Sequence, residues 1–288
     1  VELLVAIAVL SILVLVLMSM LGSLTNTWAQ GQARNERRDI AQAVFDRMSR
    51  DLAQVSLPAS QGNTNALNFV INPSWITKTP YAQSIFFQAP VATDGGTNGN
   101  MAVVGYFVQW VNGTPGTPTL TRLLINPSSS DYAVYSGTPN TWVTDALLTN
   151  DAPATAPTYT GLLAERVLGL WVQALDSGGN PITQSGVSTN QGETFDSRYP
   201  YAYTNYNLNS GAGYVSTNAA SSLPASLQVA IAVVDARTAA RITSIPTHYA
   251  ATGNFWNDVQ NFVTNLPPAV YKGTEIQSTI IPLSNAPR

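Results

Sequence analysis

From Leu3 to Asn26 the chain carries no charge and no proline, and after Glu2 the next charge is Arg34. About 20 apolar residues cross a bilayer as a helix, so "LLVAIAVLSILVLVLMSMLGSL" is long enough to span one. A secretory signal has a basic start, a shorter apolar core and a small-residue cleavage site. This stretch opens instead on a carboxylate and runs into "TWAQGQARNERRDIAQAVFDRMSRDLAQ", which remains compatible with a helix. The first proline is Pro58, so nothing earlier forces a stop.

Past Arg38 the pattern becomes one-sided. On a helical wheel Ile40, Ala41, Val44, Phe45, Met48, Leu52 and Val55 share an arc with Asp51 at its edge, while Asp39, Asp46 and Arg50 lie opposite. Asp46–Arg50 and Arg47–Asp51 have the i,i+4 spacing of helical ion pairs. The pattern predicts one continuous helix of roughly fifty residues, on the order of 80 Å long. The alternative is a break near Gly22 or Gly31, although a glycine weakens a helix by only ~1 kcal/mol. Three segments follow: an apolar helix over 1–33, its amphipathic continuation over 34–57 and a head over 58–288.

Beyond Pro58 the helical period disappears, and β-branched and aromatic runs alternate with turn clusters. Strands are predicted at Ala66–Ile71, Ser84–Ala89, Met101–Val111, Leu120–Ile125, Leu168–Leu175, Ser226–Asp235 and Glu275–Leu283. "DSGGN" after Leu175 predicts a hairpin-type turn in which Gly178 and Gly179 supply positive φ. Short helices are predicted at Leu162–Val167 and Phe255–Val263, and a surface excursion at Thr183–Leu223. The fold class is α+β: a long N-terminal helix, apolar then amphipathic, packed on an antiparallel β-rich head.

Chemistry is sparse. Charged residues are 10% of the chain, against roughly 25% in ordinary soluble domains, and many of them crowd between Arg34 and Asp51. A net charge of −3 leaves no nucleic-acid footprint, and the absence of cysteine excludes disulfides, thiolate metal sites and a cysteine nucleophile. His248, the one histidine, sits in a loop-like "IPTHYAATG". Asp94–Asn100 offers oxygen ligands for Ca²⁺ without the repeated acids of an EF-hand, and reads as a solvated loop. Asn112–Thr114 matches a glycosylation sequon but also a turn dipeptide. Tyr199, Tyr201, Tyr203 and Tyr206 form either a sticky patch or the packing of a long loop. No catalytic residue, cofactor or metal set is expected.

"VELLVAIAVLSIL", a carboxylate heading an apolar helix, resembles the start of the type IV pilin superfamily. "RRDIAQAVFDRMSRDLAQ" is similar to the stalk of J-type minor pseudopilins of type II secretion and W-type minor pilins. Weaker echoes are "VVGYFVQW", "LTRLL", "RVLGLWVQALD", "LPASLQVAIAVVD" and "STIIPL". The resemblance implies a filament subunit held singly in the inner membrane, then built into a periplasmic or extracellular filament. Implied partners are copies of itself or other pilins, an inner-membrane assembly platform and a prepilin peptidase. Glu2 matches the carboxylate that pairs with the N-terminal ammonium of a neighbouring subunit. In the family a leader ending in glycine, a methylated aromatic and two more residues precede the position of Val1, so the residues from Val1 onward do not show a processing site. The outermost tip subunit of the secretion pseudopilus lacks the carboxylate, so Glu2 argues against that position. Two other classes compete: a membrane-anchored adhesion module whose Tyr- and Asn-rich excursion recognises a surface or glycan, and an anchored enzyme dependent on His248.

Overall fold

A computed structural model describes residues 2–57, 67–77, 82–95, 99–111, 116–136, 140–148, 159–184, 194–206, 213–218, 222–244 and 254–286. The chain begins with helix α1 (Glu2–Leu52), 51 residues without a break at Gly22 or Gly31. It stops short of Pro58 in a tightened last turn, where Gln54 N donates to Asp51 O and Val55 N to Leu52 O. Strands β1 (Phe69–Ile71), β2 (Ile85–Ala89), β3 (Ala102–Val111) and β4 (Thr117–Ile125) follow, then the single turn α2 (Asp145–Leu148). Next come β5 (Thr160–Glu165), β6 (Val167–Leu175), β7 (Phe195–Asp196), β8 (Tyr201–Tyr206) and β9 (Gly213–Asn218). The chain continues with β10 (Ser226–Val234), α3 (Ala236–Ala239), α4 (Phe255–Thr264), α5 (Pro268–Tyr271) and β11 (Thr274–Pro282).

Every named pairing is antiparallel. Six strands form one sheet in the order β5-β4-β3-β2-β1-β7, three form a second as β11-β10-β6, and β8 and β9 form a separate hairpin. Period-2 alternation places neighbouring residues on opposite faces. Phe87, Val104 and Tyr106 thus face the central core, whereas Phe86, Val103 and Phe107 face a second cluster with Trp142, Val143 and Leu148. Both faces of the first sheet are covered at β2, so every residue of that strand is buried, Gln88 included. The second sheet sends Leu170, Val172, Val229 and Ile231 to the central core. Its outer face, with Trp171 and Ala230, is covered by Phe255, Val259 and Phe262 of α4.

The predicted helix at Leu162–Val167 is instead β5 and the start of β6. "GLLAE" has good intrinsic helix propensity, but pairing with β4 from Thr119↔Glu165 to Leu123↔Thr160 overrides it. Between the two strands Arg166 adopts φ 64° as the chain leaves one sheet for the other. The turn after β6 forms as expected, with Leu175 bridging Pro181, but of its glycines Gly179 alone takes a positive φ, 79°. The excursion expected between Thr183 and Leu223 contains β7, β8 and β9.

Candidate assembly helix and its anchorage

The two halves of α1 meet different surroundings. From Leu3 to Trp28 every described large apolar side chain is at least 44% exposed. Among the described residues this is the one helix long and apolar enough to cross a membrane, with an 18-residue window of mean hydropathy 2.0. Three of its hydroxyls bond back to its own main chain. Ser11 Oγ donates to Ile7 O at 2.8 Å, Thr25 Oγ1 to Leu21 O at 3.0 Å and Thr27 Oγ1 to Ser23 O at 2.9 Å. Such back-bonding leaves a surface suited to lipid or to other apolar helices. Glu2 lies in the first turn with its side chain exposed, where the helix dipole favours a carboxylate. Val1 lies outside the described residues.

From Ala41 onward one stripe closes against the head: Ala41, Val44, Met48 and Leu52 are buried, with Ile40 and Phe45 packed beside them. Val55 is buried in the same core, past the end of the helix. Ionic contacts flank the stripe. Arg166 Nη1 reaches Glu36 Oε1 at 2.7 Å, and Arg37 Nε donates to Glu275 Oε2 at 3.1 Å. Arg37 also faces Asp235 at 3.5 Å, and Arg38 faces Glu275 at 3.6 Å. Asp235 in turn caps α3 by accepting from Thr238 N at 2.8 Å. Gly273 lies so close beneath that a β-carbon there would sit 2.5 Å from Asp235 Oδ2.

The deepest contact is Asp51, whose side chain is 3% exposed. Its Oδ2 accepts from Tyr106 Oη at 2.6 Å and from Arg122 Nε at 2.7 Å, while Arg47 stands 3.4 Å from Oδ1. Burial, reinforced by the Asp51 charge and hydrogen bond, pushes the Tyr106 phenol well above its ordinary range, so it remains a donor. The expected Arg47–Asp51 pair is therefore present but subordinate to two long-range partners. For the expected Asp46–Arg50 pair, Arg50 Nε donates to the Asp46 main-chain oxygen at 3.1 Å. A buried ion pair adds little net stability compared with an apolar substitute, yet stranding one member is costly. Asp51 thus fixes where the helix end sits on β3 and β4.

The remaining residues singled out from sequence do not converge on a site. His248 and Asn112–Thr114 lie outside the described residues, as do residues 96–98 of the Asp94–Asn100 segment. Asp94 Oδ2 accepts from Ser128 N at 2.9 Å, and among the described residues no three potential metal-binding side chains gather. Tyr201 is a core residue, stacked edge-on to Phe195 and donating to Leu223 O at 2.9 Å. Tyr199 is 39% exposed, and the side chains of Tyr203 and Tyr206 lie outside the described set.

These parts define a class: a β-rich head fused, without a hinge, to an apolar helix of membrane-spanning length that carries a carboxylate at its far end. Among solved structures, a type IV-like pilin from Thermus thermophilus is similar at 10% identity and a TM-score of 0.37, over 87% of this chain and 98% of that one. No family model matches the chain, and no curated protein matches its sequence.

Proposed function

We propose that the chain is a structural subunit of a type IV pilus-like or type II secretion pseudopilus filament, assembled through α1 and carrying no reaction of its own. The observation that carries this reading is the unbroken helix. A simple anchor needs only ~20 apolar residues and no fixed angle to its cargo. Here the exposed apolar half passes rigidly into a half that is clasped to both sheets, so the head has a set orientation on its rod. Regular stacking of subunits requires that.

Glu2 supports the same reading. A carboxylate at bilayer depth costs several kcal/mol when unpaired, and a neighbour's N-terminal ammonium at that depth would offset much of this. The "VELLVAIAVLSIL" start supports the pilin class, the stalk and head echoes favour a minor pseudopilin over a major pilin, and Glu2 argues against the outermost tip. The implied partners are sister subunits, a prepilin peptidase and an inner-membrane assembly platform. The location is the inner membrane before assembly and the periplasm or cell exterior after it. Electron microscopy of sheared filaments, with mass spectrometry of their subunit ratios, tests this. Trace amounts of the chain in filaments are expected; dominance would make it a major subunit, and its confinement to membranes beside filaments lacking it would contradict the proposal.

A further inference from the structure

A second feature lies far from the helix, where the end of β1 meets β7. There Val70 pairs with Asp196 and Ile71 with Phe195, and the turns leaving both strands, with Asn140, line a half-open pocket of about 170 Å³. Asn72, Ser74, Trp75, Asn140, Arg198 and Tyr199 are among its walls. Asn72 and Asn140 both hold positive φ, 49° and 65°, two of the three described non-glycine residues that do so. Asparagine tolerates this conformation better than most residues, but its recurrence on both sides of one cavity marks a shape maintained by its surroundings.

The walls are held firmly. Asn72 N donates to Ser84 O at 2.9 Å, and Ser84 N donates to Asn72 Oδ1 at 2.8 Å. Trp75 Nε1 donates to Val143 O at 3.2 Å. Arg198 is gripped by both oxygens of Asp196, through Nε at 2.9 and 3.0 Å, and its Nη1 donates to Asn140 Oδ1 at 2.7 Å. Its guanidinium carbon stands 5.0 Å from the centre of the Trp75 ring. Burial lowers the Arg198 affinity for its proton, but the Asp196 contacts outweigh this and leave the net shift upward.

This chemistry selects a ligand class. Among the described residues of the wall the one cation, Arg198, is already engaged by the one carboxylate, Asp196, so neither sign of charge there is left unmatched. The asparagine oxygens are used in holding the walls, so the neutral hydrogen-bonding groups left to a ligand are the Asn140 amide and the Ser74 hydroxyl, beside the exposed ring of Tyr199 and half-buried Trp75. Neutral hydrogen-bonding groups beside aromatic rings match a ring that carries hydroxyls on its rim and C–H bonds on its faces. We propose that this cavity binds one neutral pyranose unit of a glycan, whether soluble polysaccharide or membrane glycolipid. The site stands independently of the filament assignment.

The test uses the full chain in a detergent without a sugar headgroup, with ligand-observed saturation-transfer NMR. Lactose, maltotriose and chitotriose are the neutral probes and sialyllactose the charged one. Vesicles carrying glucosylceramide in phosphatidylcholine, against phosphatidylcholine alone, form the lipid arm. A neutral saccharide should bind in solution or on vesicles, and which arm responds identifies the source. Tyr199→Ser and Asn140→Gly, the latter keeping the backbone conformation accessible, should each weaken binding by about tenfold or more. Circular dichroism should show both variants folded. Binding to none of the neutral probes, tighter binding of sialyllactose, or equal affinity in both folded variants would each overturn the proposal.

Discussion

The distal and proximal halves of α1 share one backbone helix but not one environment. Leu10 is 63% and Ile12 62% exposed, whereas Met48 and Leu52, about ten to twelve turns further along, are 0% exposed. Ionic contacts follow the same division: Glu36, Arg37, Arg38, Arg47 and Asp51 all find partners, while the segment from Leu3 to Asn26 has no charge to pair. The contrast teaches that helicity here has two sources. The proximal half is held by tertiary packing, and the distal half, which belongs to none of the packed clusters, by its own backbone bonds. Substitutions in the two halves should therefore report on different things.

The largest expected effect is at Asp51. Asp51→Ala strands Arg122 in the core and should cost about 3–5 kcal/mol of head stability, measured by denaturant unfolding of the full chain in micelles. A loss below about 1 kcal/mol would mean that the helix end is positioned by the apolar stripe alone. Next is Gly273→Ala. Its new β-carbon would crowd Thr238 and Asp235, displacing the carboxylate that faces Arg37, with an expected loss of about 1–3 kcal/mol by the same measurement.

Tyr106 gives a pH signature of the proximal half. Its folded pKa is raised, so the folded state retains a proton that the unfolded chain releases. Its stabilising contribution is full below the unfolded value near 10 and declines as pH rises above it, by up to about 1.4 kcal/mol per pH unit. Tyr106→Phe should abolish that component of the alkaline slope, as read by comparing unfolding curves of the two proteins. The smallest effect belongs to the distal half. Ile12→Ala should change head stability by less than about 0.5 kcal/mol, because the side chain is exposed and belongs to none of the packed clusters of the head. A larger loss would show that the distal half is coupled to the head.

Much of this division was legible in the sequence. The apolar run, the arc from Ile40 to Val55 and seven of the strands follow from periodicity and β-branched content, and each of the seven appears within a few residues of its expected place. Strand β5 was not legible, because Leu162, Leu163 and Ala164 favour a helix locally and only β4 makes them extended. Hairpin β8–β9 was hidden by its Tyr, Asn, Ser and Gly content, which reads as loop. Asp51 appeared only as the edge of an arc and as a local partner of Arg47. Its long-range partners lie 55 and 71 residues away, and no local pattern could announce them. The β1–β7 cavity was equally silent, since it joins turns separated by more than a hundred residues, and its asparagines resemble ordinary turn residues.

In the proposed assembly the distal half would work against sister helices as well as against lipid, and Glu2 would be the residue that separates those two settings. Glu2→Ala, expressed beside the wild-type chain, should insert into membranes in normal amounts, keep its head folded and be missing from sheared filaments viewed by electron microscopy and quantified by mass spectrometry. Incorporation of the variant at the wild-type level would contradict the account.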